Sequence, residues 1–343
     1  MHAKSLEERP LGGTETALIR VAEILQQRGH EVTVFTSHRN PPCGPGPAYY
    51  HLSELQKHPS CDVSIAVQDW WGVFYPIECR KRFYWTGDAS DQYMNFGLGD
   101  KRIISRIDLL LGVSNWHVQN ICGASGFPVE KSHVIRNGVH LPWFEGQEER
   151  SPRRLIFTSA PYRGLDLAVG FFRELKKSFE DLELHVFAGF DLYDRERPFE
   201  GAEKQQFERT KRLCAEVPGV VLHGNLRQRD LAREYMKSGL FFYPVLIPET
   251  FCITAIEAQA AGCPVLSSAL GGLPETVGDG GLVIHGAPGS KEYNHAFLEG
   301  ARLMLSDRGV WQRFSEQGQR RARAEFSWEH VVDRLEAALQ SVG

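Results

Sequence analysis

Short apolar runs alternate along the chain with longer stretches whose apolar positions recur every three to four residues. That alternation predicts a parallel sheet covered by helices on both faces. In the first half, Thr14–Arg28 carries apolar residues at 17, 18, 21, 22, 24 and 25, a helical stripe that Gly29 closes. Val32–Thr36 reads as a strand, as do Val63–Val67, Arg82–Trp85, Leu109–Val113 and His133–Ile135. A helix is expected at Trp116–Gly123, and the Pro- and Gly-rich stretch Arg39–Ala48 as a surface loop. A doubly wound domain opens on a strand just before its first glycine turn, and Met1–Leu11 contains no such run. Either the chain is truncated, or its start is shifted, or the first domain is built without that strand.

The segment Glu145–Arg154 (EGQEERSPRR) has no apolar residue from Gly146 to Arg154 and reads as a linker. A second series follows, with strands at Leu155–Thr158, Leu184–Ala188, Val220–His223, Leu240–Tyr243 and Pro264–Ser267. Helices are expected between them at Leu165–Phe179, Glu203–Ala215, Arg229–Lys237 and Cys252–Ala261. Three helices close the chain, the last at Ser327–Leu339. The expected organisation is an α/β protein of two doubly wound domains, residues 1–148 and 149–326, facing a central cleft. Residues 327–343 form a helix able to cross back onto the first domain. Ligands of such folds bind at the carboxyl ends of the strands.

Composition narrows the function. The chain has 343 residues, room for two domains, and 42% of them are apolar. Lys and Arg number 39 against 43 Asp and Glu, a net charge of −4, which argues against nucleic-acid binding and allows at most peripheral membrane contact. The longest apolar stretch, Leu240–Pro248, is half the length of a membrane span, and Met1–Pro10 is too charged for a signal peptide. A cytoplasmic protein is expected. The seven cysteines are scattered, without a Cys-x-x-Cys pair, and the 13 histidines form no His-x-x-x-His pair. No metal site and no cofactor are expected.

The densest chemistry lies in Pro248–Gly281. A strand leads into a loop carrying Glu249, and a helix is expected to begin near Phe251 with Thr250 as its cap. Glu257 stands two turns into that helix. Free N–H groups of a first turn suit a diphosphate, and flanking carboxylates accept hydrogen bonds from sugar hydroxyls. By spacing alone, an exposed loop acid and a helix-surface acid fit equally well.

This stretch resembles the E-x7-E segment of the retaining glycosyltransferases of family four, the group 1 type with the GT-B fold of two facing Rossmann-like domains. AIEAQAAGCPVLSSALGGLPETV is similar to that family's EA-x-A-x-G-x-PV and GG-x-PE pattern. The likeness extends to LGGTETALIRVAEILQQRGHEVTVFT, VSNWHVQNICGASGFPVEKSHVIRNGV and RGLDLAVGFF, in the expected order. It implies a nucleotide-diphosphate sugar as donor, with Glu257 on the ribose hydroxyls and Glu249 on the transferred sugar. Thr250, Phe251 and Cys252 would present backbone N–H groups where the family carries Gly-Phe-Gly. A Cys252 side chain near the sugar would narrow the donor range, or serve only as a small packing thiol.

Arg163 stands where the family has a Lys before Gly, and a guanidinium suits a leaving diphosphate. The family's second cation is absent, the sequence there reading FTSAPY. Gly12, Gly13 and Thr14 would bring a helix start to a phosphate. Asp88 follows the strand RFYWT where the family often carries a catalytic His, with Asp69 and Asp91 as alternatives; each also fits a turn-capping acid. The aromatics Trp70, Trp71, Phe74, Tyr75, Tyr84, Trp85, Tyr93 and Phe96 read as core residues or as a platform for an acceptor sugar. His117, His140 and His185 have no partner by spacing and read as structural or solvated. The resemblance thus implies a hexosyltransferase of polysaccharide or glycoconjugate biosynthesis, acting on a carbohydrate or glycolipid acceptor without a metal. A sugar-nucleotide epimerase or hydrolase, or an inactive nucleotide-sugar-binding protein, fits the same architecture.

Overall fold

Alternating residues of the first half's central strands point to opposite faces, so each strand feeds two cores. Phe83, Trp85, Leu109 and Leu111 face one core and Tyr84 and Leu110 the other. This is a computed structural model, which describes residues 2, 4–38, 46–189 and 201–341. The chain divides into two units: Met1–Glu8, Gly13–Gly138 and Phe326–Gly343 form the first, Arg9–Gly12 and Val139–Glu325 the second.

In the first unit, strands β1 (Thr33–Thr36) and β2 (Ala48–His51) pair in parallel as a separate ribbon. Strands β3 (Ser60–Val67), β4 (Glu78–Trp85), β5 (Leu109–Gly112) and β6 (Ser132–Val134) form a parallel four-stranded sheet in chain order. Among the described residues no strand precedes the helix Gly13–Gln27, and none joins the ribbon to the sheet. Most of the expected loop Arg39–Ala48 lies outside the described residues, though Ala48 itself opens β2. The helix Trp328–Ser341 packs Val331, Val332, Leu335 and Ala338 beside Ala17, Val21 and Ile24 of the helix Gly13–Gln27. Arg28 pairs with Asp333 and Glu336 at 2.8 and 2.6 Å along the rim of that contact.

The second unit holds β7 (Ser151–Phe157), β8 (Glu183–Val186), β9 (Val220–Leu222), β10 (Ser238–Tyr243), β11 (Val265–Ser268) and β12 (Gly281–Ile284), all parallel. Their order, β12-β11-β10-β7-β8-β9, is the doubly wound order with its reversal between β7 and β10. Every residue of β10 and β11 is buried, as expected for central strands covered on both faces.

By contact, the second unit takes in Arg9–Gly12 and Val139–Glu325, where a boundary at 148/149 was expected. Glu145–Arg154 is not a free linker, because β7 already starts at Ser151. The cause is Arg150, whose guanidinium donates to the carbonyls of Ser238 and Ala261 and stacks 5.7 Å from the Trp311 ring. Its charge therefore serves as a backbone anchor, not as a solvated loop.

Candidate active site

The second unit's site is built at its switch point. The loops leaving β7 and β10 run to opposite sides of the sheet, which opens a crevice at their carboxyl ends. Arg163 follows β7 and Glu249 follows β10, and Arg163 Nη1 donates to Glu249 Oε1 at 2.6 Å. The Tyr243 hydroxyl, at the end of β10, donates to the same oxygen at 2.5 Å. Ser159 Oγ lies 3.1 Å from that hydroxyl. Burial opposes the Arg163 charge, but the Glu249 carboxylate, followed by Tyr243 and Tyr162, outweighs it and raises the guanidinium above its ordinary value.

Two glycines fix these backbones. Gly164 has φ 139°, and a Cβ there would stand 2.3 Å from the Pro244 carbonyl oxygen. Gly271 has φ 66°, and its Cβ would stand 2.2 Å from the Glu249 carbonyl oxygen. Gly272 N–H donates to that same oxygen at 2.7 Å, and the Thr276 hydroxyl donates to the Phe251 carbonyl. The GGLPETV segment is therefore a clamp on the loop that carries Glu249.

The helix expected from Phe251 under a Thr250 cap begins at Ile253 instead and runs to Ala260. Its cap position is Cys252, in the left-handed region at φ 76°, without a side-chain cap bond. The loop must turn back beneath Gly271 before the helix can start, and the left-handed residue completes that turn. Cys252 is buried, which pushes its thiol up to about 12. Glu257 is also buried, and burial raises its carboxyl to about 8. Among the described residues no donor reaches that carboxylate, so it is a buried acceptor with its hydrogen bonds still to be made.

In the first unit, Asp88 sits just beyond β4. Its Oδ2 is buried with no partner among the described residues. Burial raises its pKa, the Gln68 side chain lowers it, and the Glu15 charge raises it again. Glu15 lies in the first turn of the helix Gly13–Gln27, and Thr14 Oγ1 lies 3.7 Å from where a Cβ of Gly87 would stand. The structure thus brings Thr14 and the helix start to Asp88, whereas Gly12 groups with the second unit. Asp69 is a capping acid that accepts from Trp71 N–H at 2.9 Å, and Asp91 is exposed.

Sequence reasoning missed the residues that hold Asp88. His117 is fully buried; its Nε2–H donates to the Asp88 carbonyl at 2.7 Å while Nδ1 accepts from Val113 N–H at 3.2 Å. Burial lowers its pKa to about 4, so it is neutral. Asn95 Nδ2 donates to the same carbonyl at 2.6 Å, and the Tyr84 hydroxyl bonds Asn95 Oδ1 at 2.7 Å and the Gln68 carbonyl at 2.8 Å. Gln68 itself has φ 69°, and nothing in its sequence neighbourhood signals that. His185 pairs with His223 at 2.9 Å and His140 packs on Trp143, both away from Asp88 and Glu249 in their contacts.

The fold and the switch-point arrangement define the GT-B class. Sucrose-phosphate synthase from Thermosynechococcus elongatus superposes with a TM-score of 0.71 at 17% identity, covering 100% of this chain and 97% of that one. Anabaena HepE, solved with UDP-glucose, gives 0.72 at 16% identity, covering 96% of each chain. Residues 152–321, most of the second unit, match the family described as glycosyl transferases group 1, and the fold is GT-B. The MMP α-(1→4)-mannosyltransferase of Mycolicibacterium hassiacum is 27% identical over 287 residues, which are 81% of this chain and 62% of that protein. The chain spans 44% to 62% of the length of the first curated relatives it matches. Among the described residues no helix is long and apolar enough to cross a membrane.

Proposed function

We propose that the protein is a retaining, metal-independent glycosyltransferase that moves a hexose from a nucleotide-diphosphate sugar to a hydroxyl of a carbohydrate or glycolipid acceptor. One observation carries this reading: Arg163 and Glu249, from the two strands at the switch point, meet beside the start of the helix whose second turn holds the unpartnered Glu257. Glu257 accepts the vicinal ribose hydroxyls, a role that suits a buried carboxylate lacking donors of its own. The N–H groups at the start of the helix Ile253–Ala260 and the Arg163 guanidinium take the diphosphate. Glu249 holds Arg163 in place and accepts a hydroxyl of the transferred sugar.

As the glycosidic bond to the diphosphate breaks, negative charge grows on the leaving oxygen and positive character on the sugar ring. A half-buried guanidinium, pre-aimed by Glu249, stabilises the first without reorganising. In the first unit, Asp88 supplies a carboxylate suited to orienting an acceptor hydroxyl. Departure and attack on the same face preserve the anomeric configuration. HepE, whose structure contains UDP-glucose, supports a nucleoside-diphosphate sugar as donor, and the mannosyltransferase by its name supports a hexose as the group transferred.

Calorimetric titration with UDP, GDP, ADP and NAD tests the reading. One nucleoside diphosphate is expected to bind the wild type and to lose its affinity in Glu257→Ala. Binding of none of the diphosphates, or equal binding by the variant, overturns the donor site. Turnover of the matching nucleotide sugar, with the product's anomeric configuration read by proton NMR, then tests retention, and full activity in EDTA tests metal independence.

A further inference from the structure

Of the aromatics crowded between Trp70 and Phe96, some fill the core and others do not. Tyr84 and Trp85 are buried, whereas Trp71 is 62% exposed, Phe96 59% and Phe74 38%. Large rings left in water on a rigid support mark a contact surface. Here the support is firm. Trp71 lies flat on the buried Trp70, with ring centroids 4.7 Å apart and planes within 20°. Trp70 in turn donates its indole N–H to the Phe96 carbonyl at 3.0 Å and meets the edge of Phe74 at 6.2 Å. Arg106 stacks over Phe74 at 5.5 Å. The turn Trp70–Phe74 is capped by Asp69 and pressed onto β3 at Gly72, where a Cβ would stand 2.9 Å from that of Ala66. One face of the Trp71 indole is thus backed by protein and the other is open.

The surface is continuous with the Asp88 site. Gln68 links β3 to the aromatic turn and its side chain acts on the Asp88 carboxyl, while the Tyr84–Asn95 hydrogen bonds run from the Gln68 carbonyl to the Asp88 carbonyl. Both features stand at the carboxyl end of the same four strands. The charges that accompany them are mixed: Asp69 caps the aromatic turn, Arg106 stacks on Phe74, and Arg102 is paired with Asp100 at 2.6 Å. A mixed rim does not select an anionic bilayer, which takes clustered cations. It suits an uncharged ligand that has one apolar face and many hydroxyls. A pyranose ring has both, its axial C–H bonds meeting an indole face and its hydroxyls reaching acids and amides at the rim.

We infer that the Trp71–Phe74 surface is a stacking subsite for a saccharide ring. Taking that ring as part of the acceptor rests on the transferase reading above and sharpens it: the acceptor is a carbohydrate with at least one sugar beyond the reacting one. The two ideas fail separately, because the nucleotide titration reads the second unit and a saccharide titration reads the first.

The test uses the full chain with maltohexaose, cellohexaose, mannohexaose and chitohexaose as probes, followed by tryptophan fluorescence and calorimetry. At least one hexasaccharide is expected to bind. Trp71→Ala should weaken it about tenfold, Phe74→Ala somewhat less, and Trp71→Phe should keep most of the affinity. Unchanged far-UV circular dichroism and unchanged nucleoside-diphosphate binding show that the variants are folded. Binding of none of the four by the wild type, or equal binding by Trp71→Ala, overturns the inference. So does co-sedimentation with phosphatidylglycerol vesicles that Trp71→Ala abolishes, since that assigns the face to a lipid surface.

Discussion

The two units hold their chemistry-bearing side chains in opposite ways. In the second, Arg163 and Glu249 are half-buried and locked in an ion pair, Glu257 is buried, and glycines at close backbone approaches fix the loops that carry them. In the first, Asp88 is half-buried at a loop held by hydrogen bonds to its main chain, beside rings that stand in solvent. The sheets differ likewise, six strands without a break against a ribbon and four. The difference follows from what each kind of contact needs. Charge stabilisation gains its strength from a dry, pre-aimed group. Stacking on a sugar needs a flat surface that stays open until it is filled.

The comparison breaks first at Arg163. Arg163→Ala is expected to lower kcat by about 10²–10³, with Arg163→Lys recovering part of it. Steady-state kinetics at saturating donor decides, and an unchanged kcat makes the Arg163–Glu249 pair merely structural. The next largest effect is expected at Gly271→Ala, which combines a left-handed backbone with a 2.2 Å approach to the Glu249 carbonyl oxygen. A stability loss of about 2 kcal/mol or more is expected, together with weakened nucleotide binding. Chemical denaturation and calorimetry on one preparation read both, and a loss of stability with donor affinity intact separates the clamp from the site.

Glu257 sharpens the contrast through pH. Below its ordinary value of 4.5 the carboxyl is neutral in the folded and the unfolded chain alike. Between there and about 8 the unfolded chain ionises while the folded one keeps its proton, so this group's contribution to stability falls as pH rises. Without ligand, the Tm of Glu257→Gln should gain on that of the wild type steadily from pH 5 to pH 8. Parallel Tm curves would mean that the carboxylate is solvated. The smallest effect is expected in the first unit, where Tyr84→Phe leaves the Asn95 and Gln68 oxygens without their donor, a loss of about 1–2 kcal/mol. Its kcat should fall far less than that of Arg163→Ala; an equal fall would erase the distinction between the units.

Much of the second unit was legible because its signals are local. Apolar runs mark β10 and β11, and the acids, glycines and Ala-rich helix of Pro248–Gly281 lie in one stretch of chain. The helix start after Cys252 was misread because the cap depends on Gly271, nineteen positions away in the sequence but packed against the same loop. The first unit was harder. Apolar runs located its central strands, but its site is held by Gln68, Tyr84, Asn95 and His117, which share no spacing and meet only through non-local hydrogen bonds.

The sequence by itself determined the alternation of strands and helices, the residue types available for a diphosphate and a sugar, and the glycines that the tight turns require. These follow from side-chain periodicity and backbone sterics, which act within a few residues. Only the tertiary structure decided that Arg163 and Glu249 pair, that Glu257 is buried without a donor, that His117 is a neutral brace, and which of the crowded aromatics face water. Each of those depends on what distant segments pack against the group, since burial and partner geometry set its charge state and exposure.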